Sequence, residues 1–198
     1  EVLPLNRDSV DAWPVNSPAS CDLLPHEPLP GHGFQQRELS EIDWERFCPR
    51  VVSGPDTTAF LAGLFQLHND LERSHRESQS IEGKGIHRAG DYWHAIMHRR
   101  EPDYGNSQYW YRRVPRSALF LSLGRLAGEI SAELSSADVS DWLTRVLQGD
   151  SWQPLAFVDC VEAASSEPVD HPLHQFARQI QACEMQLLLD RTAAACGI

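Results

Sequence analysis

The chain has 198 residues, a formal net charge of −11 and 41% hydrophobic residues, which suits one domain with a sizeable core and argues against nucleic acid as a partner, because phosphate neutralisation requires a basic surface. No run reaches the roughly 18 apolar residues of a membrane span, and Glu1–Leu5 carries no signal region, so we expect no membrane partner. The five cysteines are odd in number and form no CxxC pair, which argues against a disulfide framework and favours a reducing, cytoplasmic location.

Residues 1–55 differ in character from the rest of the chain. They hold eight of the 13 prolines, and proline removes a backbone donor and restricts the residue before it. We therefore predict an irregular, proline-rich arm packed on a helical domain formed by residues 56–198. One short helix is expected in the arm, over residues 40–47.

From Asp56 onward, apolar residues recur at steps of three and four. This spacing predicts one helix from Asp56 to about Ser78, capped by Asp56 or Thr57, with His68 and His75 on its apolar face. A glycine-rich segment follows at residues 82–90. It lacks the spacing of a phosphate-binding loop, so a plain turn is the expected structure and a mobile lid is the alternative.

The stretch from Ile86 to Val114 is the most distinctive part of the chain. It holds three histidines, two tryptophans and five arginines. Because such residues are uncommon in cores, they indicate a functional surface. Asp91 is the expected N-cap of a helix that ends before Pro102, and Ser107 is the expected N-cap of a short helix after it. Within the first helix, Trp93 and Ile96 should be buried on the face opposite His94 and His98.

The remaining sequence predicts plainer helices. They are expected from about Ser117 to Ser135 and around residues 139–147. A further helix should begin at Pro154, and a long last helix should begin at Asp170 and Pro172, with Asp170 as its cap. His171 and His174 should lie on the surface. Because period-two alternation is not sustained anywhere, we predict an all-α fold, a single-domain bundle of about six or seven helices.

Four histidines form the main candidate site. His94 and His98 are four residues apart and so share one helical face, close enough to hold one metal ion. If the preceding helix packs antiparallel to theirs, His68 and His75 converge on the same place, which suits Zn²⁺ or another divalent transition metal. Glu72 and Glu101 are candidates for a catalytic base or for a group that orients a ligand. A purely structural histidine cluster and metal-free acid–base chemistry are the alternatives.

Arginines and aromatic residues flank these histidines. Arginine binds carboxylate or phosphate groups in a bidentate fork, and aromatic rings can wall a ligand pocket. The arginines could instead pair with the chain's own acids, and the aromatic rings could fill its core. In that case the side-chain amide of Asn106 would fix the turn after Pro102. The candidate ligand-binding residues are Arg99, Arg100, Arg113, Tyr92, Tyr104, Asn106 and Trp110.

The stretch YWHAIMHRREPD from Tyr92 to Asp103, continued by Asn106 and Trp110, resembles a group of microbial proteins without an established activity. A weaker likeness extends to residues 68–79, 152–159 and 184–190. The resemblance implies no cofactor and no catalytic residue. It indicates that the stretch acts as one unit.

These observations favour a small helical enzyme that is metal-dependent and acts on a small polar or anionic molecule by a hydrolase- or lyase-like reaction. The alternative is a non-catalytic helical module that recognises an anionic ligand or a protein through arginines and aromatic rings. A third hypothesis is a polar network that only stabilises the helix packing. Metal content separates the first hypothesis from the other two.

Overall fold

The computed structural model describes residues 54–197, so the predicted arm and its short helix fall almost entirely outside the described residues. The described part confirms the all-α prediction. It contains a short antiparallel hairpin, in which β1 (Leu147–Gln148) pairs with β2 (Ser151–Trp152), and one 3₁₀ turn at Ile86–Arg88. Its eight α-helices are α1 (Gly54–Leu67), α2 (Leu71–Ser80), α3 (Ala89–Arg100), α4 (Tyr104–Tyr111), α5 (Ala118–Leu134), α6 (Ala137–Val146), α7 (Pro154–Ala164) and α8 (Pro172–Cys196). Within residues 54–197, no helix has the length and apolar character needed to cross a bilayer.

The prediction of one continuous helix before the glycine-rich segment was wrong, because the chain turns after Leu67. Asn69 has a left-handed backbone with φ of 59°, and the Asp70 carboxylate caps α2 by accepting the backbone N–H of Arg73. A short polar side chain that bonds a neighbouring amide competes with helical continuation in this way. Asp56, an expected cap, lies inside α1, where its carboxylate accepts the N–H of Ile86 at 2.6 Å.

Helix α3 is the centre of the bundle. All twelve of its residues, from Ala89 to Arg100, are buried, so this part of the stretch does not form the open functional surface that its composition indicated. Trp93 and Ile96 are fully buried, as predicted. Helix α1 passes so close that a Cβ atom on Gly63 would lie 2.5 Å from the Trp93 ring. The polar groups of a helix enclosed on every side have little access to water, so they need other partners.

The starts of the later helices were predicted with mixed success. Helix α5 begins next to Ser117, as expected, and the Ser117 side chain caps it. Pro154 stands in the first turn of α7, also as expected. Helix α8 is capped by the His171 side chain rather than by Asp170. His174 is buried, with Nδ1 3.1 Å from the carbonyl oxygen of Ala164, so its predicted surface position was wrong.

Two polar residues predicted as caps have other roles. Asp91 lies in the first turn of α3, where its carboxylate accepts the N–H of Gly83 at 2.9 Å and closes the preceding loop. Ser107 is inside α4, which is capped by Asp103. The Ser107 hydroxyl donates to the carbonyl of Ala95 at 2.8 Å and ties α4 to α3. Both side chains bond across elements because their helices start earlier than the sequence suggested.

Candidate metal centre

Three histidines meet between α2 and α3. His75 lies in the middle of α2, while His94 and His98 are one turn apart on α3. One ring nitrogen of each residue lies within 4.8 Å of the chosen nitrogens of the other two. The ring centroid of His75 lies 4.7 Å from that of His94 and 5.2 Å from that of His98. The predicted convergence of these three side chains is therefore confirmed.

His94 is the most deeply placed of the three. It is 1% exposed, and neither of its ring nitrogens has a hydrogen-bond partner. Its ring stacks on Trp110 with centroids 3.9 Å apart and on His98 with centroids 4.8 Å apart. An unsatisfied buried polar group costs about 1–3 kcal/mol. An arrangement with two such nitrogens on one ring is therefore costly unless something outside the protein bonds to them.

Burial favours the neutral, metal-binding form of His94 and His98. Burial lowers the pKa of His94 to about 3, with further lowering by the neighbouring His98 and His75. Burial and His75 also lower the pKa of His98, while the charge of Asp103 acts in the opposite direction. A neutral imidazole has a free lone pair, so proton competition at His94 is weak near neutral pH.

Two carboxylates stand on the solvent side of His98. Its Nδ1 atom is 3.7 Å from Glu101 Oε2 and 3.9 Å from Asp103 Oδ2. Asp103 already accepts hydrogen bonds from the backbone and side-chain amides of Asn106, at 3.2 Å and 2.7 Å. These bonds show that Asn106 fixes the turn and lies at the rim. Glu101 is thus the carboxylate with more freedom to respond to the cluster.

Two other predicted site residues are not brought into this cluster. His68 lies in the turn between α1 and α2 and is not a member of the three-histidine group, because the helix on which it was expected to continue is broken there. Glu72 lies on the outer side of α2, with its side chain 88% exposed, and pairs with Arg76 at 3.2 Å. The structure therefore offers no support for Glu72 as a catalytic base.

Two of the three arginines predicted to bind a ligand, Arg99 and Arg100, are buried in internal contacts. Arg99 pairs with Glu184 at 2.6 Å with both side chains fully buried, and the Arg99 guanidinium also donates to Tyr111 and Gln181. Arg100 donates to the carbonyl of Gln66 at 2.7 Å. Arg99 thus pairs with an internal acid, as the alternative had it, and Arg100 bonds a carbonyl and the Asn69 side-chain amide oxygen.

The buried network around Glu184 includes residues that sequence reasoning missed. Glu184 Oε1 accepts hydrogen bonds from the hydroxyls of Tyr92 and Tyr111, each at 2.9 Å, so Tyr92 also serves packing rather than a pocket. Burial raises the pKa of both tyrosines well above the ordinary value. The available signal was a single acid at a core position of α8, next to the inward-facing Cys183.

The remaining candidates lie on or near α4. Trp110 covers His94, as described above. Arg113 lies over the Trp110 ring at 5.2 Å and pairs with Glu82 at 2.5 Å. It therefore connects the glycine-rich loop to the indole that stacks on His94. The Tyr104 hydroxyl donates to the hydroxyl of Ser165, the C-cap of the neighbouring α7, at 3.2 Å. Of the predicted aromatic set, Trp110 is thus the ring in direct contact with the histidines.

Comparison with known proteins adds no family to this description. No protein-family model, curated protein or solved structure matches the chain. The resemblance to a group of microbial proteins therefore stays a prediction, and functional inference depends on the geometry of the cluster.

Proposed function

We propose that this protein binds one divalent transition metal ion, Zn²⁺ in the first instance, through His75, His94 and His98. We further propose that the ion activates water for a hydrolase- or lyase-like reaction on a small polar molecule. The observation that carries the proposal is His94, a buried imidazole with two unbonded ring nitrogens that faces two further imidazoles. A shared metal ion supplies the missing bond at one nitrogen of each ring.

The ligand set suits a catalytic rather than a structural ion. Three protein ligands leave a fourth position of a tetrahedral zinc ion for water, and bound water loses a proton near neutral pH. Zn–N bonds of roughly 2.0–2.1 Å place tetrahedral ligand atoms about 3.3 Å apart. The three nitrogens lie within 4.8 Å of one another, so binding one zinc ion would draw them closer by up to about 1.5 Å.

Glu101 is the protein group proposed to assist the ion. From its position 3.7 Å from His98 Nδ1, its carboxylate can hold the imidazole so that the other ring nitrogen faces the metal. It can also accept a proton from bound water on the solvent side. Since Arg99 and Arg100 are engaged internally and two acids line the rim, we propose a neutral or cationic substrate in preference to an anion.

Metal binding is tested first, on protein purified without an affinity tag. We expect about one equivalent of zinc by elemental analysis, and a titration of the metal-free protein with Co²⁺ should give the visible bands of a tetrahedral site. His94→Ala and His98→Ala should each weaken binding at least tenfold. His68→Ala is the matched control, because it removes a neighbouring histidine outside the cluster, and it should bind as the wild type does.

Catalysis is tested on the loaded protein with panels of small esters, amides and phosphate esters. Turnover that requires zinc, and that falls with Glu101→Gln while zinc remains bound, is the expected result. Zinc binding without turnover on any panel would favour a non-catalytic metal protein. Failure to bind Zn²⁺ or Co²⁺, or binding that the His94 and His98 variants do not change, would overturn the proposal and leave a structural cluster.

A further inference from the structure

Helix α2, which supplies one of the three histidines, has little apolar surface to hold it on the bundle. Its sequence is LERSHRESQS, and Leu71 at its first position is its single hydrophobic residue. The other buried positions are Ser74 and Ser78, and the next apolar contact is Ile81, just past the end of the helix. Because helices dock mainly through buried apolar side chains, α2 is anchored at its ends and weakly held in the middle.

Polar contacts do not compensate for this deficit along the inner face. The Ser78 hydroxyl donates back to the carbonyls of Ser74 and His75, at 2.8 Å and 3.1 Å. The Ser74 hydroxyl is buried without a hydrogen-bond partner, and an unmade bond of this kind favours the hydrated, open state. The middle of α2 therefore gains little by lying on α3.

Both ends of α2 are backbone turns that can act as hinges. Asn69 precedes the helix with φ of 59°, and Gly83 follows it with φ of 68°. Residues 82–88 between α2 and α3 are exposed. Hinges are commonly a few positions at the ends of an element that absorb a change in backbone angles.

We infer that the metal ion holds α2 on the bundle by joining His75 to the two histidines of α3. Metal binding and docking of the middle of α2 are then one event. The inference rests on the proposed metal site and adds its regulation. His75 is the α2 member of the three-histidine group, and its partners His94 and His98 both lie on the fully buried central helix α3. Without the ion, residues 74–80 open locally. With it, they close over the site, so the availability of the metal controls the order of this segment.

Amide hydrogen exchange on the full chain tests this coupling. In the metal-free protein, amides of residues 74–80 should exchange at least tenfold faster than those of the central part of α8, residues 176–188. Addition of Zn²⁺ should slow α2 exchange at least tenfold. Comparison of the two helices is needed because any ligand of the native state also slows exchange that occurs by global unfolding.

The variant His75→Ala separates the docking of α2 from metal binding itself. The i, i+4 pair on α3 remains and can still bind Zn²⁺ at higher concentration, but α2 exchange should then stay fast when zinc is bound. His68→Ala, in the turn before α2, should keep the wild-type response.

Two results would overturn the inference while leaving the metal site intact. One is equal exchange of α2 and α8 in the metal-free protein, and the other is zinc binding without added protection of α2. Absence of zinc binding in the wild type would instead reject both the proposed function and the coupling between metal binding and α2 docking.

Discussion

The buried pair between Arg99 and Glu184 allows a sharp stability prediction. Glu184→Gln keeps the size of the side chain but removes the charge that sits 2.6 Å from the guanidinium, with both partners fully buried. Arg99 cannot release its proton, so the variant leaves a buried cation without its counter-charge. Breaking a buried pair from one side costs roughly 3–5 kcal/mol. For a domain of this size, that corresponds to a fall in Tm of about 6–20 °C.

Urea denaturation followed by circular dichroism measures this cost. The m value, which is the slope of the unfolding free energy against urea concentration, should not change. Glu129→Gln is the matched control, because Glu129 forms a 4.0 Å pair with the exposed Arg125, and it should cost under about 0.5 kcal/mol. The double variant Arg99→Met with Glu184→Gln removes both charges and should recover part of the loss. A loss below about 1 kcal/mol for Glu184→Gln alone would show that the Arg99 charge is hydrated, and the reasoning would fail.

Three further predictions concern α3 and its neighbours. Trp93→Ala should lower the free energy of unfolding by roughly 3–5 kcal/mol, because the ring is fully buried; a loss under about 1 kcal/mol in a urea titration would contradict this. Gly63→Ala should destabilise by about 1–3 kcal/mol through its contact with Trp93, whereas Gly128→Ala, with nothing within 4 Å of its Cβ, should stabilise α5 by up to about 1 kcal/mol; thermal melts that rank the two variants in the opposite order would refute the packing. Burial raises the pKa of Asp91, so the native state takes up this proton at a higher pH than the unfolded chain, and stability falls as the pH rises from about 4 through the raised pKa. The stability advantage of Asp91→Asn over the wild type should therefore grow as the pH rises from about 4 through the raised pKa of Asp91, and parallel stability profiles would disprove the assignment.

The all-α fold was predictable because it depends on local pattern. Caps such as Ser117, the proline at position 154 and the steps of three and four are signals that each helix carries within itself. The break at Asn69 was missed because apolar spacing continues across it. A local cap at Asp70 outweighs that spacing, and periodicity alone does not report the competition.

The candidate site also has one part that local sequence predicts and another that it does not. The shared face of His94 and His98 follows from helical geometry, and a short connection between consecutive helices brings His75 towards them. The role of Arg99 did not follow, because its partner Glu184 is 85 residues away and belongs to a helix that could have packed in several ways. Partner choice over such a distance depends on the complete set of packed surfaces.

The helical class, the location of most helices and the pairing of two histidines on one helical face could all be predicted from the amino-acid sequence, since they follow from interactions within a few residues. Only the tertiary structure decided that α3 is enclosed on all sides, that its arginines satisfy internal acids and carbonyls, and that Trp110 rather than a carboxylate covers His94. The physical reason is that burial is a property of the assembled helices. A polar side chain in the core bonds whichever group the packing brings within reach, and at His94 the packing brings two imidazoles and an indole.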